Sequence, residues 1–377
     1  LLRSMEYVSE QAKRVLCIFG DTTTKKVLPM AGPEQEYFLV DIDHFAKRKD
    51  LIYTGRTLFG AAAPKGQELD DHYFGPIREQ IAGFMTEVNQ VLWKLGIPAK
   101  TEHNEVAPSQ HELAVIYSSA NVAADQNALV MLVLKKIAKK HGFICLFAEK
   151  PFDGINGSGK HDNWSLQTDT GINLLKPGKN PHENTQFLVF LAAVVKAVDE
   201  YAGLMRESVA TYTNDFRLGA NEAPPAIVSI FLGDELNAVV EKIIHSDAPT
   251  KARANTLLQT GAKTLPVLPK DSTDRNRTSP FAFTGNRFEF RMVGSSQNIA
   301  GPNIVLDTIV GKTLKEFADT IERAEDVNKA IDEWIRTTLK EHERIIFNGD
   351  GYSDKWVKEA EKRGLPNLKT TVEAVDV

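Results

Sequence analysis

Glu34 and Glu36 open the run Gly32-Pro-Glu-Gln-Glu-Tyr-Phe-Leu-Val-Asp41. In a strand, the period of two turns both carboxylates to one face, roughly 7 Å apart. Two acids held that close attract cations. Four further segments carry matching chemistry: Asn104-Glu-Val-Ala-Pro-Ser-Gln-His-Glu112, Asn156-Gly-Ser-Gly-Lys-His161, Arg217-Leu-Gly-Ala-Asn-Glu-Ala-Pro-Pro225, and Asp274-Arg-Asn-Arg-Thr-Ser-Pro280 leading into Arg287-Phe-Glu-Phe-Arg291. Glu105 and Glu112 bracket a Pro-Ser-Gln turn, and Glu112 lies on an otherwise apolar strand where an unpaired carboxylate would be costly. Glu289 sits between Arg287 and Arg291 on one strand face, with Phe288, Phe290 and Met292 on the other. Carboxylates and one imidazole (Glu34, Glu36, Glu105, Glu112, Glu289 and His161) suit a hard divalent cation such as Mg²⁺ or Mn²⁺. Zinc suits them less, since no cysteine joins the set.

Gly154-Ile-Asn-Gly-Ser-Gly159-Lys160 satisfies the core of a phosphate-binding P-loop, but His161 stands where Ser or Thr should hold Mg²⁺. The next segment, Asp162 to Gly171, reads as strand and turn instead of the helix that a P-loop opens, which argues against a P-loop NTPase. Arg217, Arg275, Arg277, Arg287 and Arg291 supply local positive charge in a chain whose net charge is -5, the fork geometry suiting carboxylate or phosphate. That overall balance gives no electrostatic argument for nucleic acid or an anionic membrane. Glu222, on a proline-stiffened loop, reads as a gate or base that closes over a reactive intermediate and excludes water.

The elements that must position these groups are set by periodicity. Residues 27 to 43 read as a strand, and 44 to 75, rich in Gly, Pro, Lys and Asp, as an irregular excursion over the surface. Ile77, Ile81, Phe84, Val88, Val91 and Leu95 mark an amphipathic helix stopped at Gly96 and Pro98. A strand over 111 to 117, a helix over 121 to 140 and a buried strand over 143 to 147 come next. Helices are expected from about 182 to 214, 302 to 345 and 353 to 363. Cys17 and Cys145, both in apolar surroundings, read as buried free thiols of a reducing compartment. No apolar stretch is long enough for a membrane helix and the first residues lack the order of a signal peptide, so a cytoplasmic protein is expected.

Together the five segments, in order over roughly residues 30 to 305, resemble the catalytic domain of the glutamine synthetase family, most closely its long, type III branch. The resemblance implies an α+β fold, a curved and largely antiparallel sheet flanked by helices, as a single domain over residues 1–377 with a mainly helical part from about 302. It implies ATP-dependent ligation of ammonium to L-glutamate through γ-glutamyl phosphate, with two or three Mg²⁺ or Mn²⁺ sites. Glu36, Glu105 and Glu112 would bind one metal; Glu34, His161 and Glu289 would bind another beneath the ATP phosphates. Asn156, Gly157 and His161 would contact glutamate, Arg217 and Arg291 its carboxylate and the transferring phosphate, and Arg277, Arg287 and Ser165 the nucleotide. Tyr73 resembles the tyrosine near the ammonium pocket, and Glu222 the flap glutamate that helps deprotonate ammonium. Arg217, Arg277 and Glu222 are the residues implied in catalysis.

The chain departs from the family pattern at Asn163, where a second histidine is common, and in Thr278 to Ala282, which lacks a further arginine. The family's N-terminal β-grasp domain, whose aspartate completes a neighbouring subunit's site, is not encoded before Gly32, so the isolated chain is expected to turn over poorly. A homo-oligomeric ring is expected for the intact protein. Two alternatives share much of this chemistry: a γ-glutamyl-polyamine or other γ-glutamyl amine ligase, and a non-catalytic structural relative.

Overall fold

The computed structural model describes residues 1–245, 257–258, 268–269 and 278–376. In chain order, helix α1 (Leu2–Ile18) precedes the long strand β1 (Val27–Asp41). Helix α2 (Glu79–Lys94), strands β2 (Ala99–Asn104) and β3 (Gln110–Val115), helix α3 (Ala120–Lys140), and strands β4 (Phe143–Leu146) and β5 (Lys160–Thr168) come after it. Then come helices α4 (Thr185–Glu200), α5 (Ala202–Glu207) and α6 (Tyr212–Arg217), strand β6 (Ile230–Phe231), helix α7 (Gly233–His245), and strands β7 (Phe281–Phe283) and β8 (Phe288–Phe290). Helices α8 (Ala300–Ile321), α9 (Val327–Glu341) and α10 (Asp354–Lys362) complete the framework around the sheet.

Strand β1 is the centre of an α+β fold. The main sheet runs β2-β3-β1-β5-β8-β7-β6, with β4 and Ser118–Ser119 also pairing β1, and every pairing is antiparallel except β7 with β6. The strands' two-residue period divides the sheet into a dry face and a polar one. On the dry side, Tyr37 and Leu39 pack with Phe84, Val88 and Leu113 beneath α2 and α3, while Trp164, Phe288 and Phe290 join the larger core formed with α1, α4 and α8. Phe281 stacks on Phe288 with ring centroids 4.8 Å apart. At roughly 1.5–3 kcal/mol of apolar transfer for each buried phenylalanine, this face anchors the short strands β7 and β8.

The structure departs from the periodicity reading in several places. The helix expected over 182 to 214 is three helices. The last begins where the Thr211 side chain accepts from the Asn214 backbone N–H, a cap that a continuous apolar pattern does not reveal. The helix expected over 302 to 345 likewise breaks before α9, capped by Asp326. Segment 44 to 75 contains short helices at Ile42–Ala46 and Lys49–Thr54, and part of it reaches inward rather than only skirting the surface. Cys145 is buried as expected but Cys17 is exposed. On α1 the inward positions are Val15 and Leu16, and the next step of the helix turns Cys17 outward. Among the described residues no helix is long and apolar enough to cross a membrane.

Candidate functional site

Strand register brings the acids and imidazole together on the polar face. Glu34 lies opposite His161, Glu36 opposite Glu112, and His103 opposite Glu112, while Glu289 lies opposite Asn163, two residues along the strand from His161. The His161 ring nitrogen Nδ1 stands 3.2 Å from Glu34 and 3.1 Å from Glu289. A second group forms around His103, whose Nε2 is 3.0 Å from Glu112 and Nδ1 3.4 Å from Glu105. Glu36 lies between the groups, accepting the Gly159 N–H at 2.6 Å and standing 3.8 Å from His161 Nε2.

Like charges facing each other across a ladder are destabilising, and the titration behaviour reflects it. Burial, with Glu36 and Glu112 adding to it, pushes the Glu105 carboxyl up to about 9. Burial likewise raises Glu112, with Glu34 and Glu36 contributing. The hydrogen bond to Glu112 carries His103 up to about 9. Burial opposes the charge on His161, but its bonds to Glu289 and Glu34 outweigh that and raise it to about 10. Glu105 and Glu112, which hold protons this tightly, are short of positive charge, whereas at Glu34 burial is outweighed by the bonds from His161 and Asn163, which lower it. Glu34, His161 and Glu289 on one side, with His103, Glu105 and Glu112 on the other, converge closely enough to ligate an ion. Oxygen donors with one imidazole per group fit Mg²⁺ or Mn²⁺.

These groups line one cavity of about 200 Å³ together with Tyr73, Gln110, Asn156, Gly157, Arg217, Asn221, Glu222, Ala223 and Arg291. The Gly-Ser-Gly loop is glycine-rich because of close packing. A Cβ on Gly157 would stand 2.2 Å from the Glu149 carbonyl oxygen, and one on Gly159 would stand 2.1 Å from Arg217 Nη2. Lys160 then begins β5 and turns to the other face, where its ammonium meets the Gln297 carbonyl, so the loop is no P-loop. Gly157→Ala is expected to cost about 1–3 kcal/mol through overpacking against backbone, read as a lowered denaturation midpoint with unchanged slope.

Arg217 is 2% exposed, and its Nη2 donates to the Arg291 carbonyl at 3.1 Å. Its buried Nε has no hydrogen-bond partner among the described residues, which suits an anion entering the cavity. Arg287 does not line the cavity. Its Nε donates to Asn163 Oδ1 at 2.7 Å, and Asn163 Nδ2 donates to Glu34 at 2.9 Å, so Asn163 links the arginine to the Glu34 group. Ser165 is buried on the same strand face, two residues beyond Asn163 and outside the cavity lining. Arg275 and Arg277 lie outside the described residues. Glu222 enters the cavity from a loop where both it and Asn221 have positive φ, 67° and 53°, and its Oε2 accepts from Asn156 Nδ2 at 3.0 Å.

Motifs in the sequence do not single out His103, Gln110 or Tyr352. His103 shares a strand period with Glu105, a signal present in the sequence. Gln110 donates to the Gly157 carbonyl at 2.9 Å. Tyr352 reaches from the C-terminal segment to donate to the Ala223 carbonyl at 2.8 Å, a contact with no local sequence signal.

An α+β sheet thus gathers two acid-and-imidazole groups and an arginine pair around one cavity. The family model for the glutamine synthetase catalytic domain matches residues 10–235, and that for the glutamine synthetase C-terminal domain residues 330–377. The chain is 52% identical to the type-3 glutamine synthetase of Dictyostelium discoideum over 100% of its own length and 51% of the relative's. It is 53% identical to a glutamine synthetase of Butyrivibrio fibrisolvens over 98% and 53% of the two chains. The chain belongs to the glutamine synthetase family. It spans about half the length of the curated relatives it matches. Two solved structures of GmaS, one without ligand and one an ADP complex, share the fold at a TM-score of 0.50. They are 19% and 18% identical, covering 97% of this chain and 72% and 74% of theirs.

Proposed function

We propose that this chain carries the ATP-dependent ligation of ammonium to L-glutamate through γ-glutamyl phosphate, yielding glutamine, ADP and phosphate. The observation that carries the reading is the convergence of both acid-and-imidazole groups, Arg217, Arg291 and Glu222 on one cavity. The identity of 52–53%, over nearly the whole of this chain and about half of each relative, to proteins named glutamine synthetase supports ammonium as the acceptor over a larger amine.

Glu34, His161 and Glu289 would hold one divalent ion, and Glu105 and Glu112 with Glu36 a second, His103 standing beside them. When bound, these ions supply neutralising charge for the phosphates and the γ-carboxylate. Arg217 and Arg291 bind and orient the anionic substrate and stabilise charge as it spreads over the transferring phosphoryl group, which needs alignment more than covalent help. The γ-carboxylate oxygen bonds to the terminal phosphorus of ATP while the bond to the ADP oxygen breaks. Glu222 takes a proton from ammonium, the ammonia so freed attacks the acyl carbon, and the bond to phosphate breaks as the departing phosphate takes the further proton from the new amide nitrogen. Asn156 holds Glu222 at the cavity, and the Glu222 loop closes it to water. Asn156, Gly157 and His161 contact glutamate, Tyr73 borders the ammonium position, and Arg277, Arg287 and Ser165 serve the nucleotide. Residues 1–377 serve as one catalytic domain, and a homo-oligomeric cytoplasmic ring is the assembly carried over from the family.

Hydroxylamine traps acyl phosphates, so incubation with L-glutamate, ATP, Mn²⁺ and hydroxylamine is expected to give γ-glutamyl hydroxamate, slowly for the isolated chain, with ammonium competing and methylamine competing poorly. A folded, metal-loaded chain that binds neither glutamate nor ATP would overturn the reading.

A further inference from the structure

Gln67 lies in the segment read from sequence as a surface excursion, and it touches none of the proposed ligands of metal or phosphate. Its side-chain amide nevertheless grips Asn156 at two points. Gln67 Oε1 accepts the Asn156 backbone N–H at 2.6 Å, and Gln67 Nε2 donates to Asn156 Oδ1 at 3.0 Å. An asparagine amide can rotate to exchange its oxygen and nitrogen. With its oxygen accepting from Gln67, the nitrogen of Asn156 must face Glu222, to which it donates at 3.0 Å. Without Gln67, the amide can turn its oxygen towards the Glu222 carboxylate and lose that bond.

Backbone conformation points to the same linkage. Two and three residues after Gln67, Leu69 and Asp70 both have positive φ, 56° and 51°, although Leu69 is 95% exposed and gains nothing from burial. Across the cavity, Asn221 and Glu222 form the other consecutive non-glycine pair of this kind among the described residues. Such conformations persist when neighbouring contacts over-determine them, and they concentrate at functional sites. Here the two loops are joined through Asn156. On the cavity side, Asn221 Nδ2 also donates to the Ile155 carbonyl at 3.4 Å. On the outer side, His72 Nδ1 meets the Glu105 carbonyl oxygen at 2.6 Å, and the Asn104 amide donates to the His72 carbonyl.

We propose that Gln67 is a positioning residue of the reaction: by fixing the orientation of the Asn156 amide it sets the Glu222 loop before substrate arrives. This rests on the reading of the cavity as a glutamate-binding ligase site. Gln67 is only half-buried, so its replacement should leave the core intact.

The test compares the chain with Gln67→Leu, which removes both contacts, and Gln67→Glu, which keeps the acceptor for the Asn156 N–H. Amide hydrogen exchange is followed over 154–158 and 219–224, alongside Mn²⁺ titration and L-glutamate binding with Mn²⁺ present. Gln67→Leu is expected to speed exchange in both segments and to weaken glutamate binding about tenfold, the scale of one charge-assisted hydrogen bond, with Mn²⁺ stoichiometry unchanged. Gln67→Glu should restore protection at Asn156. Unchanged exchange in both segments for Gln67→Leu would overturn the proposal, as would full glutamate affinity in that variant. If the unmodified chain bound no glutamate, the ligase reading would fall, and the exchange comparison would still decide whether Gln67 sets the Glu222 loop.

Discussion

Glu289→Gln is expected to abolish one of two Mn²⁺ sites and leave the other in place. Glu289 is 1% exposed on a three-residue strand, with its carboxylate 3.1 Å from the His161 ring. Its position is fixed by Phe288 and Phe290 on the opposite face, so glutamine will occupy the same place without the charge. Removing one anionic oxygen from a group of two carboxylates and an imidazole is expected to weaken binding there at least 100-fold, since even outer partners of metal ligands are worth roughly 10–100-fold. The Glu105 and Glu112 group lies on β3 and its adjoining turn, away from β8, and should retain its affinity. Glu36→Gln should act mainly on that second group, because Glu36 faces Glu112 across the ladder. Calorimetric titration separates these outcomes; two undiminished sites in Glu289→Gln would show that the Glu34, His161 and Glu289 group holds no ion.

Stripped of divalent metal, the folded chain is expected to lose stability as pH rises from about 6.5 to about 9, and Mn²⁺ to restore progressively more of it. Burial and the neighbouring Glu36 and Glu112 raise the Glu105 carboxyl from 4.5 to about 9. The native state therefore keeps a proton that the unfolded chain has released, and the stability this brings below 4.5 disappears as pH climbs through 9. His103, raised to about 9 chiefly by Glu112, and His161, raised to about 10 against its burial by Glu289 and Glu34, add stability that is complete below 6.5 and lost through those values. Lys160 opposes them. Burial lowers its amine from 10.5 to about 7, so its contribution grows as pH rises between those limits. Burial lowers Lys150 as well, but it raises Glu102 to about 8 and also raises Glu112, so the groups that lose stability as pH climbs outnumber those that gain it. Divalent ions bind deprotonated ligands and so bind better at high pH, adding about 2.7 kcal/mol per site at a hundredfold excess over Kd. Melting temperatures with and without chelator, at pH 6.5 and 9, test this. The Mn²⁺-induced rise should be larger at pH 9, and an equal or smaller rise there would contradict the account.

Much of the site is legible in the sequence because its chemistry lies on regular strands. Period two alone places Glu34 with Glu36, and Glu289 with its flanking arginines, and the phenylalanines of β8 identify the dry face. Pairing register is not legible, because which strand lies beside β1 depends on long-range topology. That is why His103 escapes a motif reading although it faces Glu112 and stands two residues from Glu105. Segment 44 to 75 looks superficial because its composition reports flexibility and polarity. The contacts of Gln67 with Asn156, and of His72 with Glu105, depend on partners tens of residues away. Helix boundaries at Thr211 and Asp326 are hidden because single caps interrupt apolar patterns that continue on both sides.

The most direct measurement is a crystal structure of the chain soaked with Mn²⁺, read by anomalous scattering. The account predicts two peaks in the cavity, one bounded by Glu34, His161 and Glu289 and one by Glu36, Glu105 and Glu112, with His103 beside the second. A well-ordered cavity with no peak at either position would contradict the assignment of this face as a metal-assisted phosphoryl-transfer site.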